Sequence, residues 1–88
     1  MGMEETREFR GISKRLAAQY LETLGGDRID EAGDRIEGDD WAAELDERKV
    51  NPVASIVINE VVIHFTGEEP TLRPLIDAFA QKAMRAGG

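Results

Sequence analysis

The sequence predicts a two-layer α+β domain in the order β-α-β-β-β-β-α, an antiparallel sheet carrying two helices on one face. Three observations predict it. Residues 14–24 and 71–84 carry apolar side chains at helical spacing, residues 40–49 alternate apolar and acidic, and residues 53–66 hold the strongest strand signal of the chain. The 88 residues suffice for one modest core, so 1–88 is read as a single domain, with 86–88 as a short flexible C-terminal tail.

Residues 5–11 read as a short strand with Phe9 as its main inward side chain. Ser13 is placed to cap a helix over 14–24, where Leu16, Ala17, Tyr20, Leu21 and Leu24 share one face. Gly25-Gly26 ends it by accepting left-handed backbone angles. Two strands follow at about 27–37 and 40–49, separated by Gly38-Asp39, with Gly33-Asp34 as a turn or bulge. In the second, Trp41, Ala43 and Leu45 alternate with Asp40, Ala42, Glu44 and Asp46, which predicts one wet face and makes Trp41 a core residue.

Asn51-Pro52 is expected to break the chain, and Asn59-Glu60 to form the tip of a two-residue hairpin or of a longer loop, Asn-Glu not being the favoured Asn-Gly. In the two-residue register Ile58 faces Val61, Ile56 faces Ile63 and Ala54 faces Phe65, while Val57 and Val62 pair on the other face and Ser55 lies opposite His64. Thr71 is expected to cap the closing helix and Pro74 to fall in its first turn. Leu72, Leu75, Ile76, Phe79, Ala83 and Met84 form its apolar stripe.

The net charge of −7 is concentrated: residues 27–47 sum to −8 and the remainder to +1. Such an acidic middle repels phosphates and anionic membranes, so no nucleic-acid or membrane partner is expected, and cationic partners are allowed. Three lysines beside eight arginines and the acid excess fit a halophilic cytoplasm as well as an ordinary surface. The chain contains no cysteine, which removes thiolate chemistry and the usual structural zinc sites. Met1-Gly2-Met3-Glu4-Glu5 is acidic and does not read as a secretory leader, so a cytoplasmic location is expected.

Four groups of residues compete for function. Gly87-Gly88 reads either as a helix terminator or as a tail thin enough to thread into an activating enzyme. Arg10, Lys14 and Arg15 surround Ser13 where the helix dipole disfavours cations; either an anion binds there or these side chains pair with the chain's own carboxylates. Val57, Val62 and His64 mark a partner surface, His64 otherwise being a solvated strand residue. The acids Asp30 to Asp34 and Asp39-Asp40 lack the order of a calcium loop, so no metal is expected.

The element order matches the TBP-like, or helix-grip-like, arrangement. The strings REFRGISKRLAAQYLETLGGDRI (7–29), Trp41-Ala42-Ala43-Glu44-Leu45 and PLIDAFAQKAMRAGG (74–88) resemble the C-terminal domain of MoaD-related proteins, named for the molybdopterin synthase small subunit. In that family the domain can follow a ubiquitin-like β-grasp module, for which the two helices and five strands leave no room here. The resemblance implies a sulfur-carrier, molybdenum-cofactor or ubiquitin-like modifier pathway in which the chain acts by protein contact, through a partner such as an activating enzyme, as a monomer or weak homodimer. The alternative is a small-ligand or anion-binding module using the sheet–helix cleft or the helix start at Ser13. No nucleophile, base and orienting group occur together, so the chain is read as non-enzymatic and without a cofactor.

Overall fold

Residues 2–53 and 55–87 are described by the computed structural model. They form strand β1 (Gly2–Arg10), helix α1 (Lys14–Thr23), strands β2 (Asp27–Arg28), β3 (Arg35–Gly38), β4 (Trp41–Val53) and β5 (Ile56–Glu68), and helix α2 (Glu69–Gly87). The class and element order are those the sequence predicts. All strand pairs are antiparallel, in the order β1-β5-β4-β3-β2. Helix α2 lies over β1 and β5, and α1 over β2, β3 and β4.

The core follows the strand alternation. Trp41, Ala43 and Leu45 of β4, Val61, Ile63 and Phe65 of β5, and Ile36 of β3 are buried against Ala17, Ala18 and Leu21 of α1 and Leu72, Leu75, Ile76, Phe79 and Ala83 of α2. Phe9 joins this core as expected, with its ring 4.8 Å from Phe79 in edge-to-face contact. Ser13 caps α1: its Oγ accepts the Leu16 N–H at 3.1 Å. Gly25 takes the left-handed angle, φ 106°, that stops the helix.

The largest difference from expectation is the hairpin. Asn59-Glu60 is not a turn: β5 runs straight through it, and β4 runs through Asn51-Pro52, so both strands are 13 residues long. Ile58 therefore pairs with Val50, Val61 with Glu47 and Phe9, and Phe65 with Ala43 and Glu5. Val57 and Val62, expected side by side, lie five residues apart on one strand and so point to opposite faces. Ser55 is likewise not opposite His64, which pairs with Glu44 and Thr6. Ala54 and Gly88 lie outside the described residues.

The physical reason is that turn chemistry is local and weak, whereas Glu60 is held in the sheet by two arginines on the flanking strands. Pro52 is accommodated by a register shift between Val50 and Val53, the kind of irregularity where a missing N–H costs no ladder bond.

Two smaller corrections follow the same logic. The expected strand 27–37 is interrupted, with β2 and β3 separated by a turn containing Gly33 at φ 73°. Helix α2 begins at Glu69 rather than after Thr71, which puts Pro70 in the first turn, where its missing donor is harmless, and Pro74 one turn later, where one intrahelical bond is forfeited. Met84, assigned to the apolar stripe, is 75% exposed.

Candidate functional site

The helix start at Ser13 is occupied by the chain itself. The Lys14 N–H donates to Glu47 Oε2 at 2.8 Å, so a carboxylate from β4 already sits on the positive end of α1. The Lys14 ammonium is bound to Asp34. That hydrogen bond, with the charges of Asp34, Glu47 and Asp30 behind it, raises Lys14 above the usual lysine range against the cost of burial. Arg10 turns away to Glu60 at 3.1 Å, and Arg15 is exposed. Of the first-turn cations noted in the sequence, Lys14 is thus balanced by acids 20 and 33 residues away.

The face of the sheet away from the helices is a lattice of charges. At its centre the Glu60 side chain is only 2% exposed, with Oε1 2.6 Å from Arg48 Nε of β4 and Oε2 3.1 Å from Arg10 Nε of β1. Arg48 also reaches Glu8 at 3.6 Å. Nearer the strand ends His64 bridges Thr6 Oγ1 at 2.8 Å and Glu4 Oε1 at 3.2 Å, and Arg35 joins Glu37 and Glu44, each at 2.7 Å. Val62 lies half-buried in this lattice. Sequence reasoning missed Glu60 because it was read as a turn residue. The available signal was a lone acid inside a long β-branched run.

Hydrogen bonds from Arg48 and then Arg10 hold Glu60 below the usual glutamate value of 4.5. A carboxylate with a depressed folded value stabilises above its unfolded value and loses that contribution as pH falls through the folded one. Glu60→Gln is therefore expected to be less stable than wild type at neutral pH. The gap should close as pH drops below 4.5, and melting temperatures measured across that range check it. A difference independent of pH would show that shape rather than charge holds the strands.

Beyond the Arg10–Glu60 and Arg35–Glu44 pairings, β4 and β5 continue alone as a two-stranded arm, which helps make the molecule 43 Å long against 25 and 20 Å in the other directions. From Val50 to Asn59 the arm carries no charge, and Val53, Ile56 and Val57 are 58, 50 and 59% exposed. Large exposed apolar side chains clustered in so short a stretch mark a contact surface better than scattered ones do. Val57 belongs to this arm, while Val62 and His64 belong to the open face at its base.

On the helix side near the base of this arm, beside Phe9 and Arg10, α2 runs on to Gly87; among the described residues its last buried side chain is Ala83, and Met84 and Arg85 are exposed. Among the described residues no group of three or more acids or histidines is placed to hold a metal ion, and no helix is long and apolar enough to cross a membrane.

No curated protein matches this chain. The family model of the archaeal MoaD-like protein matches residues 5–88, taking in every element from β1 to the end of α2. The chain belongs to the archaeal MoaD-like family, and so to small proteins of the sulfur-carrier kind, which are generally non-catalytic and act with protein partners.

Proposed function

We propose that this protein is a cytoplasmic, non-enzymatic component of a sulfur-carrier, molybdenum-cofactor or ubiquitin-like modifier pathway, working by protein contact and through Gly87-Gly88. Family membership over residues 5–88 is the observation that carries this reading. The end of α2 supports it: beyond Ala83 the helix has no buried side chain among the described residues, so its last turn can unwind without opening the core. Residues 84–88 extended would then reach roughly 16 Å from the body, enough to enter a partner's active site.

There the terminal carboxylate would attack the α-phosphorus of ATP, expelling pyrophosphate. A sulfur nucleophile or a lysine amine would then attack the carbonyl carbon of the resulting acyl adenylate, taking the acyl group and expelling AMP. Glycine suits that step because it adds no side chain to a narrow channel. The arm residues Val53, Ile56 and Val57, with Val62 and His64 at its base, supply the contact surface, and the acidic segment 27–47 disfavours nucleic acid as the partner.

The test is mass spectrometry of an N-terminally tagged chain expressed in an archaeal host, beside a copy lacking Gly87-Gly88. Trypsin cutting after Arg85 would leave an Ala-Gly-Gly remnant on any lysine modified, and a thiocarboxylate would shift the intact mass. Either signal is expected with the full tail only. Neither signal, with partners co-purifying equally with both copies, would reduce the glycines to a helix end.

A further inference from the structure

We infer that β1 is a dimerisation edge, on which a second copy of the chain pairs antiparallel about a two-fold axis at Thr6 to make one continuous ten-stranded sheet. β1 is the terminal strand of the sheet, nine residues long. The Gly11 N–H donates to the Asn59 carbonyl at 2.8 Å, which makes Gly11 and Asn59 a hydrogen-bonded pair in the β1–β5 register. Hydrogen-bonded positions alternate along an antiparallel strand, so Met3, Glu5, Arg7 and Phe9 bond β5. Gly2, Glu4, Thr6, Glu8 and Arg10 therefore aim their N–H and C=O groups outward.

A two-fold edge pairing must oppose these outward residues to one another. The only register that uses the whole strand sets Thr6 opposite Thr6, Glu4 opposite Glu8 and Gly2 opposite Arg10. The intervening, closer pairs are then Glu5 with Arg7 and Met3 with Phe9, each occurring twice. Glu5 and Arg7, now a 3.2 Å pair within one strand, become complementary across the axis. The opposed acids Glu4 and Glu8 each keep a neighbour in their own copy, His64 at 3.2 Å and Arg48 at 3.6 Å.

Charge favours this edge over the other. The acidic segment 27–47 forms β2, β3 and the start of β4, at the opposite side of the sheet, so two chains of net charge −7 meet at β1 with their acidic sides farthest apart. Packing favours it as well. With α2 lying over β1 and β5 and strands about 4.8 Å apart, the two copies of α2 would lie on the order of 10 Å apart, an ordinary helix-packing distance. The hollow of about 430 Å³ beside Phe9, Ala80 and Met84 would then face Met3 and Arg73 of the second copy, covering the exposed Met84.

Sedimentation equilibrium from micromolar to submillimolar protein tests the inference. Wild type is expected to dimerise, and Glu5→Arg and Arg7→Glu each to weaken the dimer by about tenfold or more, since each turns two attractive cross-strand pairs into repulsive ones. An equimolar mixture of the two variants restores both complementary pairs and should form a heterodimer, which no effect within one chain can produce. Thr6→Pro should also give a monomer with an unchanged circular dichroism spectrum, because the N–H it removes points outward. A wild type that stays monomeric throughout, variants that dimerise as wild type does, or a mixture that fails to associate would each overturn the proposal. So would an edge that binds an extended peptide of another protein and never a second copy.

Discussion

Phe79→Ala is expected to cost about 4 kcal/mol, which for a chain of 88 residues is a large part of the whole folding free energy. Phe79 is fully buried and is where three elements meet α2. Its ring lies 4.8 Å from Phe9 of β1, 6.0 Å from Tyr20 of α1 and 6.1 Å from Phe65 of β5, with interplanar angles of 65 to 73°. Truncation removes one side chain but leaves three aromatic edges facing a void, and the sheet backbone beneath cannot collapse to fill it. Urea unfolding should show the midpoint falling with the slope retained. Phe79→Leu, which keeps most of the volume, should cost less than half as much. A loss below about 1.5 kcal/mol for the alanine variant would mean that the junction relaxes and that α2 is held elsewhere. The consequence reaches function, since α2 carries the Gly87 end and this ring is one of the five buried side chains that anchor it to the core.

The same helix shows why some of this molecule was legible in its sequence. Leu72, Leu75, Ile76, Phe79 and Ala83 recur at helical spacing, and burial of all five needs no information beyond that period. Ser13 with the stripe of α1, and Trp41, Ala43 and Leu45 on β4, are likewise set by local pattern. Asn59-Glu60 was not legible, because the residues that make a glutamate tolerable in mid-strand, Arg48 and Arg10, lie 12 and 50 residues away. The candidate sites divide along the same line. That Lys14 sits awkwardly in a first turn was visible, but its compensation by Glu47 and Asp34 depends on how β4 and the Gly33 turn pack against α1. The apolar arm was hidden by the misplaced turn, since folding the chain at Asn59-Glu60 turns Ile56 and Ile58 inward, whereas the continuous strand carries them out past the helices.

Gly38→Ala is expected to destabilise by about 2 to 3 kcal/mol through a residue that reads in the sequence only as turn punctuation. Gly38 pairs with Trp41 across the β3–β4 turn, and a methyl group at Gly38 would fall on the indole ring. A side chain at Gly26 would likewise lie 2.7 Å from Trp41 Cη2, so the indole packs closely against two glycines and is only 7% exposed. The alanine variant must therefore displace Trp41 and with it the start of β4, whose register carries the arm. The mechanism predicts its own rescue. Trp41→Phe shortens the ring system on the Gly38 side, so Gly38→Ala/Trp41→Phe should be more stable than the sum of the two single losses by about 1 kcal/mol or more. Additivity within about 0.5 kcal/mol in a urea double-mutant cycle would show that Gly38 is needed for backbone reasons, and that close packing against Trp41 is not what constrains it.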